Sequence, residues 1–175
     1  NRFNHGELLN ADSIQFPDSL KYETLINKRT VYGGGGIMPD VFVPIDTTVV
    51  SLLHRQLIAK GVLNRITIQE VDNNRKKLKQ SFPTIKAFKK DYDITPALIQ
   101  KIKDSAEAED IEWDNEDFDK SKEIIFTQLK ALLARDLYDA SAFYRIINDI
   151  DDIFSKGLEV ISNDELYNKI LNGNS

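Results

Sequence analysis

The apolar pattern of this chain changes period near residue 46, and that change limits the possible folds more than any other feature. Upstream, in SLKYETLINKRTVY (residues 19–32), Leu20, Tyr22 and Thr24 alternate with neighbours of the opposite face, the two-residue repeat of a strand. Asn27-Lys28 suits a tight reversal, so a hairpin returning through residues 29–32 is predicted, and Val41-Phe42-Val43 reads as another short strand closed by Pro44. From Asp46 onward apolar residues recur at every third or fourth position, the repeat of helices with one buried side. A few short strands cannot bury themselves as an independent sheet. The expected fold is mainly α, with strands and loop over residues 1–46 followed by a helical bundle over residues 47–175.

Local signals place the helices. Asp46 can cap a first helix, about residues 47–60, through Val50, Leu53 and Leu57, and Gly61 stands where a left-handed terminus needs no Cβ. A second helix runs from about Leu63 to Gln80 through Ile66, Val71 and Leu78, and a short one follows in TIKAFKKDY. Thr95-Pro96 is a start signal for a helix over about 96–108, with Leu98, Ile99, Ile102 and Ala106 on one face. The acidic residues 107–119, which enclose Trp113, lead into a long helix striped by Phe118, Ile125, Leu129, Leu132 and Leu133. Ser141 caps the next, whose stripe is Phe143, Ile147, Ile150, Phe154 and Ile161, with Gly157 allowing close approach of a neighbour. The series Ser162-Asn163-Asp164-Glu165 matches a capping box before Leu166, Ile170 and Leu171, and Gly173 ends that helix.

Composition excludes several classes. A chain of 175 residues, 41% hydrophobic and 29% charged, can build a real core, and no apolar run approaches the roughly 18 residues of a membrane span. A net charge of -5 argues against nucleic-acid binding. The local exception is Arg75, Lys76, Lys77, Lys79, Lys86, Lys89 and Lys90, a solvated helix face or, in competition, a surface for anionic lipid or nucleic acid. The absence of cysteine removes disulfides, thiolate zinc sites and cysteine nucleophiles. The chain begins at Asn1 and its only methionine is Met38, from which a processed product or a piece of a longer polypeptide is expected.

Four glycines in a row, residues 33–36, raise the question of a phosphate cradle. A P-loop needs Lys-Ser/Thr after the last glycine, where Ile37-Met38 stands, and a dinucleotide fingerprint needs a following helix where a strand is expected. Glycines that supply positive φ and close packing between strands are the better reading. A calcium loop started at Asp110 puts Glu112 and Asp114 at ligand positions, but Asn115 stands where glycine is required and Ser121 where a bidentate Glu belongs. His5 and His54 lie in different segments, and no serine sits in a G-x-S-x-G or S-x-x-K pattern. No catalytic, cofactor-binding or metal residue is assigned, and no cofactor is expected.

The stretch KRTVYGGGGIMPDVFVPID, residues 28–46, resembles the segment that closes the protease domain of the carboxy-terminal processing (tail-specific) serine peptidases. Arg29, Val31, Tyr32, Gly33, Gly35, Gly36, Ile37, Pro39, Asp40 and Val43 carry the likeness. Residues 11–25 and 129–161 resemble the long-tailed branch found in Bacteroidetes-type bacteria. The resemblance implies a periplasmic or cell-envelope parent, a serine endopeptidase with a PDZ-like domain and a Ser-Lys dyad, whose lysine acts as base only when its surroundings keep it neutral. Both dyad motifs precede the glycine segment in that family and neither occurs here, so no catalytic residue carries over and the chain alone is expected to be inactive. Residues 1–46 would then be the last strands and loop of the α/β protease domain, and the glycines scaffold. The implied partners are the upstream protease and PDZ-like domains, peptide substrates of the parent, and a possible second copy. The competing expectation is a freestanding helical interaction module that adds its strands to a partner sheet.

Overall fold

The computed structural model describes residue 14, residues 16–34 and residues 39–172. The chain divides into two compact units, Thr47–Asp151 and a second joining Asn1–Asp46 to Asp152–Ser175. The last two helices, grouped on sequence with the rest of residues 47–175, thus lie in the second unit.

The first unit holds six helices, α1 (Leu52–Ala59), α2 (Val62–Ser81), α3 (Ile85–Asp91), α4 (Pro96–Glu107), α5 (Asn115–Leu137) and α6 (Ala140–Ile147), and ends in a 3-10 turn, Asn148–Ile150. Side-chain oxygens answer the free N–H groups at each start but one. Ser51 accepts from His54, Thr84 from Ala87, Thr95 from Leu98, Asp114 from Asp117, and Asp139 from Ser141 and Ala142. The exception is α2, which follows α1 through Gly61 at φ +67°, where a Cβ would be strained.

The core is built around α5. Its Ile125, Leu129 and Leu133 are fully buried among Leu53 and Leu57 of α1, Val62, Leu63 and Val71 of α2, Ile102 and Ala106 of α4, and Ile146 of α6. At one end, Phe88 of α3 stacks on Tyr92 at 4.5 Å and meets Phe82 edge-on at 5.6 Å.

Two expected boundaries move. Helix α1 is capped by Ser51 and not by Asp46. Residues 47–50 are Thr-Thr-Val-Val, whose branched Cβ atoms lose rotamer freedom in a helix, and the Ser51 N–H is held by the Ser121 hydroxyl at 2.7 Å. The helix expected from Ser141 starts at Ala140, with Asp139 as cap, and stops at Ile147. Asn148 and Asp149 have short polar side chains that compete for the backbone, and the tighter turn there splits the predicted stripe. Phe143 and Ile147 pack against the core, whereas Phe154 and Ile161 belong to the other unit and are exposed.

In the second unit, β1 (Lys21–Glu23) and β2 (Thr30–Tyr32) pair antiparallel, Lys21 with Tyr32, Tyr22 with Val31 and Glu23 with Thr30. The expected hairpin is present. Its reversal takes residues 24–29, closed by the Thr24 N–H to the Arg29 carbonyl at 2.9 Å, with Lys28 at φ 52°. Val41-Phe42-Val43 is not a strand and pairs with neither β1 nor β2. Helices α7 (Asp152–Ile161) and α8 (Asp164–Leu171) complete the unit. The cap of α8 is Asn163, which accepts from Leu166 at 3.0 Å, in place of the expected Ser162. Gly157 faces open space with no close neighbour, and the expected terminator Gly173 lies outside the described residues. No described residue of this unit is buried.

Candidate functional site

Three places bring polar chemistry together, and the glycine segment is the first. Gly35, Gly36, Ile37 and Met38 lie outside the described residues, as does His5. At Gly33 the N–H donates to the Leu20 carbonyl at 2.8 Å, and a Cβ there would stand 2.6 Å from Cε2 of Tyr22. A side chain at residue 33 would therefore need the exposed Tyr22 ring to shift. Positive φ plays no part there, since among the described glycines only Gly61 has it. Arg29 and Asp40, both in the stretch that carries the resemblance, form an ion pair across the glycine segment. A hollow of about 370 Å³ beside them is lined also by Asn27, Lys28, Thr30, Ile170 and Asn172, and the Asn27 amide donates to the Leu171 carbonyl at 3.1 Å. The Asn27 contact ties the hairpin to α8.

The second place is a buried polar seam between the start of α1 and the first half of α5. The Ser121 hydroxyl accepts from the Ser51 N–H at 2.7 Å and donates to the Val49 carbonyl at 2.8 Å. One turn earlier, the Asp117 carboxylate accepts from the Leu53 N–H at 3.0 Å, so α5 supplies caps to a neighbouring helix as well as its own. His54 meets Gln128 through Nε2 at 2.9 Å, while its buried Nδ1 has no partner. The proton of Ser121 is committed to a backbone carbonyl and is not held by a base, so this seam joins helices and does not activate a nucleophile.

The third is an open hollow of about 350 Å³ in the first unit, floored by Tyr92, Phe126 and Ile146 and rimmed by Lys89, Asp93, Lys130 and Asp149. Lys89 donates to Asp149 and to the Arg145 carbonyl, both at 2.7 Å. Burial lowers the Lys130 amine below its ordinary range, against the pull of Asp93, Asp149 and Asp91, and Lys89 adds to the lowering. Thr127 also lines the hollow, but neither it nor Lys130 makes a side-chain hydrogen bond among the described residues. An amine with no hydroxyl in contact is half of a dyad. Burial also pushes Tyr92 up to about 12, helped by Glu70.

The remaining sequence features go to structure. The acidic residues 107–119 serve helix ends: Asp110, at φ 54°, turns the chain out of α4, Glu109 pairs with Arg65 at 2.8 Å, and Asp114 caps α5. Among the described residues no three His, Cys, Asp or Glu side chains could hold a metal ion. Along α2, Arg75 reaches the Asp136 carbonyl at 2.9 Å, and Lys79 stands 4.2 Å from the centre of the Tyr138 ring. Lys76 and Lys77 are solvated.

Sequence patterns had raised Ser121 only as a misfit in a calcium loop, and had passed over Asp117, Gln128 and Lys130. A sign was available: these polar residues interrupt the long α5 between core positions. Among the described residues no helix is long and apolar enough to cross a membrane. Residues 53–139 are similar to a family described as "Family of unknown function (DUF8443)", a span from α1 to just past the end of α5 and wholly inside the first unit. No curated protein and no solved structure matches the chain.

Proposed function

We propose that this chain is the non-catalytic C-terminal portion of a carboxy-terminal processing serine endopeptidase, working by packing against the protease body or by governing access of peptide substrates to it. One observation carries this reading. No described residue of the unit that contains the family-like stretch is buried, which supports reading its hairpin and two amphipathic helices as the margin of a larger structure. The Arg29–Asp40 pair supports a scaffold role for the motif, since each charge answers the other. On this reading the nucleophile, the lysine base and the PDZ-like domain lie upstream, and the parent works in the periplasm or cell envelope.

The test is the encoding reading frame together with a cleavage assay. A frame that continues upstream through a PDZ-like segment and a Ser-Lys pair is expected, and the purified chain should cleave no peptide. An initiator codon directly before Asn1, or nucleophile-dependent turnover by the chain alone, overturns the proposal. The second reading is a freestanding helical interaction module. It is favoured by the self-sufficient core of Thr47–Asp151 and by the family match confined to that unit.

A further inference from the structure

Glu123, Phe126, Thr127 and Lys130 recur at the three- and four-residue spacing of one face of α5, and all four line the hollow of about 350 Å³ in the first unit. Its floor is apolar: Tyr92 and Ile146 are buried, and Ile94 and Phe126 pack against the core. The two lysines that line it are held differently. Lys89 donates to Asp149 and to the Arg145 carbonyl, both at 2.7 Å. Lys130 is half-buried, and its amine makes no hydrogen bond or ion pair among the described residues.

We propose that this hollow takes an uncharged aldehyde with a single aromatic ring and holds it as an imine on Lys130. The ring rests on the floor and the carbonyl carbon meets the amine. In its neutral form Nζ attacks that carbon, and one N–H proton passes to the carbonyl oxygen to give a carbinolamine. The carbinolamine loses its hydroxyl with the second N–H proton as water and leaves a C=N bond, with no oxidant or reductant involved. Two effects single out Lys130. Burial lowers its amine below the ordinary range, against Asp93, Asp149 and Asp91 and helped by Lys89, so it is neutral more often than a solvated lysine. The floor concentrates the ring beside the amine and keeps water from the C=N bond. Charge and size set the ligand class. Asp93, Glu123 and Asp149 outnumber Lys89 and Lys130 around the hollow, which disfavours a phosphate-bearing aldehyde. Its volume, near the lower end of the roughly 300–1,000 Å³ of ligand sites, suits one ring.

The test is competitive labelling of the full chain with benzaldehyde and sodium cyanoborohydride, whose hydride reduces the imine to a stable secondary amine, followed by peptide mass spectrometry. Lys130 should be labelled at least about fivefold faster than the solvated Lys76 and Lys77. Formaldehyde, which has no ring for the floor, should show a smaller preference, and pyridoxal phosphate should favour Lys76 and Lys77. Phe126→Leu keeps the amine and removes a ring from the floor, so it should bring the benzaldehyde preference down toward that of formaldehyde with an unchanged far-UV circular dichroism spectrum. Equal benzaldehyde labelling of Lys130 and the solvated lysines overturns the proposal. So does a Lys130 preference as large with formaldehyde or pyridoxal phosphate as with benzaldehyde, since it would reflect the amine alone. Neither outcome bears on the peptidase reading, which the reading frame decides.

Discussion

The two units use the same design in opposite ways. In Thr47–Asp151 each long helix turns its apolar stripe onto another: Leu129 and Leu133 of α5 are fully buried against residues of α1, α2, α4 and α6. In the other unit α7 has an apolar stripe of comparable quality, yet its Ile153 is 63% and its Ile161 67% exposed. Amphipathicity therefore chooses a face for a helix without choosing what covers it. The first unit buries its stripes within itself, whereas much of the α7 stripe stays exposed.

The contrast is tested most strongly by equal truncations in the two units. Leu129→Ala should cost about 2–5 kcal/mol, because the cavity forms in a packed core. Leu158→Ala, at a residue 50% exposed, should change stability by less than about 0.5 kcal/mol. Urea unfolding followed by the single tryptophan, Trp113, reads both, and equal losses would mean that α7 is covered within the chain after all.

A smaller loss is expected from Ser121→Ala, which leaves the buried Ser51 N–H and the Val49 carbonyl unanswered, at about 1–3 kcal/mol in the same assay. A neutral result would mean that water enters the seam. Next comes Gly61→Ala. Nothing stands within 4 Å of the new methyl, so its cost is conformational alone, about 1 kcal/mol, and a stabilised variant would show that φ there is not fixed. The least effect at neutral pH belongs to Tyr92, whose pKa rises from 10.0 to about 12 on folding. Burial of the neutral phenol is then stabilising below pH 10, and that contribution is lost as pH climbs through 10 to 12. Tyr92→Phe should lift the alkaline unfolding midpoint seen by circular dichroism, and an unmoved midpoint would assign alkaline unfolding to other groups, Tyr138 among them.

Much of the helical unit is legible in the sequence because its signals are local. Thr95-Pro96, Gly61 and the apolar positions of α4 and α5 each act within one or two turns, and each falls where expected. The failures lie where a signal had two claimants. Asp46 and Ser51 are both good caps, and the choice went to Ser51 because Ser121, 70 residues away in sequence, holds its N–H. The run from Phe143 to Ile161 keeps a helical period throughout, yet Asn148 and Asp149 break it and its second half lies in another unit. Of the polar places, only the Arg29–Asp40 pair joins residues that the sequence reading had picked out, and it had not paired them.

Helix content and the apolar face of the long helices follow from short-range rules, since propensity and periodicity are properties of neighbouring residues. Which stripe meets which and which serine is buried are settled by contacts between residues far apart in the chain. Those contacts depend on the volume and hydrogen bonds available once the helices pack, and no local pattern records that.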